Sequence, residues 1–206
     1  MIKAALFDLD GVVIDSETGY TRFWKDLGDH YGFKPSFAYD IKGTTLTDIL
    51  ERYFPDSATK QEVTRRIYEY EHTMEYPIFE GVVPFLNELR NSGIKTALVT
   101  SSDDTKMSFL SSRHPRLLEL FDFVITGSMV SKSKPDPEGY QLAARSLDVD
   151  PTECIVFEDS FQGIEAGERS GATVYGVATT NPYEAVKEKT DKVITGFKNL
   201  HIKDLF

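Results

Sequence analysis

The chain has 206 residues, of which 40% are hydrophobic and 27% charged, and this composition is typical of a globular protein with one good core. Its formal net charge of −10 argues against a nucleic-acid partner or an anionic membrane surface, because both would be repelled at long range. The single cysteine, Cys154, excludes an intrachain disulfide and is compatible with a reducing compartment, so we expect a cytoplasmic protein.

The first apolar segment, residues 2–13, contains two carboxylates followed by a glycine. The apolar run before them is typical of a strand buried in a parallel sheet, and ligands bind at the carboxyl ends of such strands. Residues two apart on an extended chain point to the same side, so Asp8 and Asp10 are predicted to converge on one site. An ordinary turn is equally compatible with this segment taken alone. The two aspartates also interrupt the run too early for a signal peptide or a membrane span.

Residues 16–79 have a different texture, with amphipathic helical patterns and no convincing core strand. Seven of the ten tyrosines of the chain fall in this stretch: Tyr20, Tyr31, Tyr39, Tyr53, Tyr68, Tyr70 and Tyr76. We predict that it is a small helical cap inserted after the first strand, and we call it the cap segment. The predicted core then comprises residues 1–15 and 80–206.

From residue 80 onward, strand and helix patterns alternate. Buried strands are predicted at 96–99, 123–125, 154–157 and 174–178, with a short edge strand at 193–194. Helices are predicted between them, beginning near Glu80, Asp136 and Ser160. This alternation predicts an α/β fold with a Rossmann-like, mostly parallel sheet and helices on both faces. The carboxyl ends of the strands would then lie on one rim.

Polar side chains follow several of these strands and would meet on that rim. They are Asp8, Asp10, Thr100, Ser101, Glu158 and Asp159, together with Lys134 in the loop before Asp136. Four carboxylates with one lysine leave a negative cluster that predicts a hard divalent cation with oxygen ligands. Mg²⁺ is the natural candidate, and because it commonly completes its shell with phosphate oxygens, we expect a small phosphorylated substrate.

The residue types at this rim fit phosphoryl transfer in two steps. One carboxylate can act as a nucleophile toward phosphorus and form an aspartyl phosphate. A second carboxylate two residues away can protonate the leaving oxygen and then activate water. The hydroxyl groups of Thr100 and Ser101, with the ammonium of Lys134, would hold the transferring phosphoryl oxygens.

Three segments together resemble the signature of the haloacid dehalogenase superfamily: Asp8 to Ser16, Lys134-Pro135-Asp136-Pro137 and Glu158-Asp159-Ser160. The chain is most similar to the β-phosphoglucomutase-like phosphatase branch, whose members carry a small helical cap. The resemblance implies that Asp8 is the nucleophile, that Asp10 is the general acid/base and that Lys134 balances charge. Thr100 and Ser101 are implied as the phosphate binders.

The same resemblance implies the metal ligands and argues against one reaction. Asp8 and Asp159 would bind the metal, Glu158 would bind it directly or through water, and Asp10 would contribute its backbone carbonyl. The presence of Asp10 argues against an actual dehalogenase, since that reaction does not require this acid.

Two positions in the cap segment depart from the pattern of true β-phosphoglucomutases. Tyr20 stands where they carry a histidine, and Leu46, three residues after Gly43, stands where an arginine grips the second phosphate. An apolar residue there removes a charge-assisted contact that a mutase needs. Arg65 and Arg66 are the alternative source of positive charge, although paired arginines are more typical of a solvated helix face.

We therefore expect a Mg²⁺-dependent phosphatase of small phosphomonoesters, among them sugar phosphates. A sugar-phosphate mutase, a pyrophosphatase and a non-catalytic phospho-ligand binder remain as alternatives, in that order. The candidate substrate contacts in the cap segment are Tyr20, Lys42, Gly43 and Thr44. The sequence specifies neither the physiological substrate nor the oligomeric state.

Overall fold

A computed structural model describes residues 2–205, and within them six strands form a single sheet. The strands are β1 (Ala4–Phe7), β2 (Lys95–Val99), β3 (Phe123–Ile125), β4 (Cys154–Glu158), β5 (Thr173–Val177) and β6 (Lys192–Ile194). Every neighbouring pair is parallel, and the order across the sheet is β3-β2-β1-β4-β5-β6. The predicted parallel sheet is confirmed, including its short edge strand.

Nine α-helices lie in the described residues, and none of them is long and apolar enough for a membrane span. They are α1 (Glu17–Tyr31), α2 (Phe37–Asp40), α3 (Leu46–Tyr53), α4 (Ser57–Thr73), α5 (Val82–Asn91), α6 (Asp104–Arg113), α7 (Glu138–Ser146), α8 (Phe161–Ser170) and α9 (Tyr183–Lys187). The helix predicted to begin near Glu80 starts two residues later, and α6 was not predicted as a separate helix.

Strand β1 shows why the sheet is covered on both faces. Its side chains alternate, so that Ala5 and Phe7 join one hydrophobic cluster while Ala4 and Leu6 join another. The first cluster includes apolar residues of α5 and α6, and the second includes those of α7 and α8. A central strand apolar in both directions is stable only between two helical layers, and the predicted α/β class is confirmed.

The strand order also fixes where a ligand can bind. β1 lies between β2 and β4. The chain adds β2 and β3 on one side of β1, and then adds β4, β5 and β6 on the other side. In open α/β sheets such a reversal opens a crevice at the carboxyl ends of the strands. Phe7 is in register with Phe157, and the backbone N–H of Asp8 donates to the carbonyl of Phe157 over 3.0 Å. The two acidic strand ends are therefore neighbours.

The cap segment contains helices α1 to α4, which share a hydrophobic cluster of their own. Local signals define their ends: Thr45 and Asp56 accept backbone N–H bonds at the starts of α3 and α4, and Gly32 adopts φ 70° after α1. The two connections between the cap segment and the rest of the chain lie side by side, since Phe79 N–H donates to the carbonyl of Val13 over 3.0 Å. The division into core and cap at residues 15/16 and 79/80 stays a prediction.

Candidate active site

A cavity of about 110 Å³ lies at the carboxyl ends of β1, β2 and β4, against the helices of the cap segment. Because a water molecule needs about 10–15 Å³ by such a measure, the cavity has room for a small organic molecule. All the sequence-predicted site residues except Lys134 and Glu158 line it: Asp8, Asp10, Tyr20, Lys42, Gly43, Thr44, Thr100, Ser101 and Asp159. The fold thus brings the candidates from both parts of the chain together.

Lys134 and Glu158 lie behind Asp8. The Nζ atom of Lys134 is 2.5 Å from Asp8 Oδ1 and 2.5 Å from Glu158 Oε1, so one ammonium joins the ends of two strands. Tyr140 on α7 donates to the same Glu158 oxygen over 2.7 Å, and Ser160 donates to the other. Glu158 is fully buried, and these donors hold its carboxylate in one orientation.

Two glycines leave room for the acidic side chains. Gly11 has φ 79°, and a Cβ at this position would overlap the carboxylate of Asp159. A Cβ at Gly163, in the first turn of α8, would overlap the carboxylate of Glu158. The glycine after the first aspartate pair is therefore required both by its left-handed backbone and by the close approach of Asp159.

Asp8, Glu158 and Asp159 form a buried acidic cluster whose ligand atoms lie within 4.8 Å of one another. Burial raises the pKa of Asp8 to about 8, with Glu158 and Asp10 adding to the effect and Lys134 opposing it. Burial, together with Glu17, also raises the pKa of Asp159 well above its usual range. These shifts indicate that a single lysine does not neutralise the cluster, and three carboxylates fit the oxygen ligands that a hard divalent cation prefers.

Asp10 occupies a different environment from Asp8. Its carboxylate accepts hydrogen bonds from Ser16, from Ser102 over 3.1 Å and from the Nζ atom of Lys106 over 2.5 Å. The sequence analysis predicts a single lysine, Lys134, at the rim. This prediction is wrong, because Lys106 is a second lysine there. The Lys106 side chain is only 6% exposed. The side chain of Asp10 is thus engaged, which is compatible with the prediction that only its backbone carbonyl reaches the metal.

The position of Lys106 in the sequence, in the first turn of a helix, is unusual for a solvated lysine. Lys106 is the third residue of α6, and Asp103 caps that helix by accepting its backbone N–H over 3.0 Å. A cation in the first turn opposes the helix dipole, so a lysine there is favoured where an anion compensates it. Its ammonium also lies 4.4 Å from the ring centroid of Tyr20, within the range of a cation–π contact.

Thr100 and Ser101, the predicted phosphate binders, form the loop after β2. The Thr100 hydroxyl accepts the backbone N–H of Ser102 over 3.0 Å, and the Ser101 hydroxyl donates to the carbonyl of Gly43 over 2.8 Å. The second bond connects the sheet directly to the cap segment. Both hydroxyls line the cavity with Asp8, and their role toward phosphate stays a prediction.

The other candidates in the cap segment are held by local contacts. Lys42 pairs with Glu17 over 2.9 Å, and both side chains are largely buried. The Thr44 hydroxyl donates to the carbonyl of Ile41 over 2.6 Å. Leu46 also lines the cavity, which places an apolar side chain in the wall that faces a ligand.

Glu71 is a cavity residue that the sequence reasoning missed. It is 6% exposed, and its Oε1 atom accepts the Tyr20 hydroxyl over 2.7 Å. No donor among the described residues reaches its Oε2 atom. The signal was periodicity, because Val63, Ile67 and Glu71 are the buried residues of α4 at four-residue intervals. A carboxyl group on an apolar helix face is costly and therefore informative.

Replacing Glu71 by glutamine is expected to remove part of the pH dependence of stability. Burial raises the pKa of Glu71 to about 7, opposed by Lys106 and Tyr20 and reinforced by Asp103 and Asp10. The folded state therefore holds this proton more tightly than the unfolded chain, and the group stabilises less as pH rises from about 4.5 through 7. Its contribution to the free energy of unfolding should fall by up to about 3 kcal/mol.

Urea unfolding of the wild type and of Glu71→Gln at pH 5 and pH 8 measures this difference. The matched control is Glu69→Gln on the same helix, where the side chain is 63% exposed and pairs with Arg65. The control should keep the wild-type pH dependence. An identical fall in all three proteins would show that Glu71 is ionised in the folded state across this range.

The family of the chain follows from a match that covers most of this architecture. A family model described as haloacid dehalogenase-like hydrolase matches residues 5–177, which run from β1 to the end of β5. The chain belongs to this family. Its members generally use a divalent metal ion, and the buried acidic cluster offers suitable ligands here. The family resemblance of the three sequence segments is thereby confirmed.

Similar proteins include both phosphatases and a mutase. Validoxylamine A 7'-phosphate phosphatase of Streptomyces hygroscopicus subsp. limoneus is 33% identical, over 91% of this chain and 91% of its own length. Glycerol-1-phosphate phosphohydrolase 1 of Saccharomyces cerevisiae is 31% identical, over 94% of this chain and 81% of its own. A crystal structure of β-phosphoglucomutase from Clostridium difficile superposes with a TM-score of 0.82 at 25% identity, covering 100% of this chain and 96% of that one.

Proposed function

We propose that the protein hydrolyses small phosphomonoesters through an aspartyl phosphate on Asp8, with Mg²⁺ as its metal ion. The observation that carries the proposal is the placement of Asp8: it lines the cavity beside Asp159, while Lys134 and Glu158 lie behind it. The phosphatase names of two relatives support the same reaction class. The proposed partner is a small phosphorylated metabolite in the cytoplasm, a location with which the buried free Cys154 is compatible.

Asp8 and Asp159 are the proposed direct ligands of the cation. Both oxygens of Glu158 already accept hydrogen bonds, from Lys134 and Ser160 among others, so Glu158 is proposed to act through a water molecule. When bound, Mg²⁺ supplies positive charge that neutralises phosphate oxygens and favours the ionised form of Asp8. The mostly oxygen-lined site suits a hard cation that retains waters.

In the first step, a carboxylate oxygen of Asp8 attacks phosphorus, and the bond from phosphorus to the leaving oxygen breaks. Asp10 gives its proton to that oxygen, so the alcohol leaves neutral. In the second step, Asp10 takes a proton from water while the water oxygen attacks phosphorus and the bond to Asp8 breaks. Inorganic phosphate leaves, and Thr100, Ser101 and Lys134 stabilise the phosphoryl oxygens in both steps.

The charges in the cavity favour a phosphatase over a mutase. A mutase must grip a second phosphate, which requires a cation free to pair with it. Among the described residues that line the cavity there is no arginine, and the two lysines, Lys42 and Lys106, are each paired with a carboxylate. Arg65 pairs with Glu69 on an exposed helix face and does not line the cavity.

Removing the metal ion is expected to abolish phosphate release. With excess chelator, the hydrolysis of a panel of sugar and polyol phosphates should fall to background, and added Mg²⁺ should restore it because Lys134 alone does not neutralise the acidic cluster. Malachite-green assays of inorganic phosphate measure both changes. Full activity in chelator would contradict the metal assignment.

The same preparation separates the two enzymatic alternatives. With β-glucose 1-phosphate and a bisphosphate primer, a phosphatase releases inorganic phosphate, whereas a mutase forms glucose 6-phosphate. Conversion to glucose 6-phosphate without free phosphate would overturn the proposed function. Turnover of pyrophosphate in preference to every phosphomonoester in the panel would instead support the pyrophosphatase alternative.

A further inference from the structure

Glu71 places a carboxyl group in the cavity wall that the proposed reaction does not use. It belongs to the cap segment, whereas the phosphate-facing groups follow the strands of the sheet. Asp8, Asp10 and Asp159 already supply the carboxylates that the two chemical steps and the metal ion require. The additional carboxyl therefore needs a different explanation.

The side chain of Glu71 is held firmly, and one of its oxygens is left over. Tyr20 donates to Oε1 over 2.7 Å, and the Tyr76 hydroxyl donates to the Glu71 backbone carbonyl over 2.8 Å at the end of α4. Oε2 is buried and has no donor among the described residues. A buried acceptor without a partner costs free energy, so a position in a cavity wall points to a ligand that supplies the missing donor.

The charges on the cap side of the cavity limit the chemical class of ligand that can bind there. The ionisable carboxylates and amines of the cap segment that line the cavity are Glu17, Lys42 and Glu71. Glu17 and Lys42 pair with each other over 2.9 Å, so above pH 7, where Glu71 is ionised, its carboxylate is the excess charge. A hydroxyl group can donate to this carboxyl, whereas a second phosphate or a carboxylate would be repelled by it.

We propose that Glu71 Oε2 accepts a hydrogen bond from a hydroxyl group of the leaving alcohol and thereby selects the substrate. The preferred substrates are phosphomonoesters of polyols or sugars whose leaving groups carry hydroxyls and no further negative charge. The inference rests on the proposed function, because it concerns the leaving group of that hydrolysis. Glu71 is then a specificity-determining residue that contacts the substrate and takes no part in proton transfer.

Glu71→Gln is the sharpest variant, because it changes one atom of the carboxyl. The amide oxygen can still accept from Tyr20, while an NH₂ group replaces the Oε2 acceptor. The test compares kcat/KM at pH 8, where Glu71 is ionised, for three substrates: a hexitol 6-phosphate, n-hexyl phosphate of the same carbon number and phosphoglycolate. Glu69→Gln on the exposed face of α4 is the matched control.

In Glu71→Gln, kcat/KM for the hexitol phosphate should fall about tenfold, because the hydrogen bond to a charged carboxylate is replaced at best by a weaker neutral one from the amide NH₂ to the hydroxyl oxygen. The value for n-hexyl phosphate should change less than about twofold, since that substrate has no hydroxyl to lose a partner. Discrimination against phosphoglycolate should weaken, because repulsion by the carboxylate is removed. The control should match the wild type on all three substrates.

Other outcomes identify what failed. An equal fall on hexitol and hexyl phosphates would overturn the inference and assign Glu71 a structural role, and an unchanged hexitol phosphate value would overturn it as well. If the wild type releases phosphate from none of the three, the proposed function falls, and this inference falls with it. Should Glu71→Gln not fold, Glu71→Met, which keeps the side-chain length without an acceptor, takes its place with the same expectations for the hexitol and hexyl phosphates.

Discussion

Asp8→Asn is expected to lower kcat for phosphomonoester hydrolysis by at least about 10³-fold. The amide has the shape of the carboxylate but is a very poor nucleophile toward phosphorus, so the aspartyl phosphate cannot form. The variant should still fold, because Lys134 can donate to the amide oxygen as it does to Asp8 Oδ1 in the wild type. Steady-state phosphate release measures kcat, and intact-protein mass spectrometry after acid quench measures the phosphoenzyme.

A matched control separates the loss of the nucleophile from the loss of a charge. Asp26→Asn makes the same chemical change at an exposed position of α1 and should leave kcat unchanged. A phosphoenzyme should appear in the wild type and in the control, and not in Asp8→Asn. Turnover of Asp8→Asn within tenfold of the wild type would show that another group attacks phosphorus.

The sheet was predictable from the sequence because its strands are short, apolar on both faces and bounded by polar residues. Ala4 to Phe7 illustrates this, since all four residues are buried and no amphipathic helix has that pattern. The fold then follows from chain order, as parallel strands require crossover helices. Helix α6 was harder to predict because of its mixed composition: Lys106 interrupts its apolar face, and only Met107 and Leu110 are buried apolar residues.

The acidic half of the site was also predictable, because each residue lies next to a strand end. Asp8 and Glu158 are adjacent in space once β1 and β4 pair, and strand pairing is a regular, period-two geometry. The partners of Asp10 were not predictable in this way. Lys106 lies 96 residues further along the chain, and a helical lysine is ordinarily solvated.

The cap side of the cavity was the least predictable part. Its contacts depend on how the helices cross and on which side chains lie between them. Helical periodicity predicts which face of a helix is buried, but it does not predict which other helix that face packs against. Tyr20 was identified as a candidate contact, but its bond to Glu71 joins residues 51 positions apart. The proposed selectivity of Glu71 for the leaving group therefore rests on contacts that local sequence patterns describe least well.

Asp10→Asn is expected to lower kcat by about 10²–10⁴-fold, with a size that depends on the leaving group. The amide can neither protonate the leaving oxygen nor take a proton from water, so both steps suffer for an alkyl phosphate. With p-nitrophenyl phosphate, whose leaving group needs no proton, the first step should survive while hydrolysis of the aspartyl phosphate stays slow. A burst of one nitrophenolate per enzyme, followed by slow turnover, is the expected time course in stopped-flow absorbance.

The ion pair between Lys106 and Asp10 offers a second variant that tests the role of Asp10. Lys106 lies 2.5 Å from the Asp10 carboxylate and donates a hydrogen bond to it, which orients the group that takes a proton from water in the second step. Lys106→Met keeps the carboxyl but removes that contact, so its loss of kcat should be smaller than that of Asp10→Asn. An equal loss for both leaving groups in Asp10→Asn, with no burst, would reduce Asp10 to a positioning residue and would assign proton transfer to another group in the cavity.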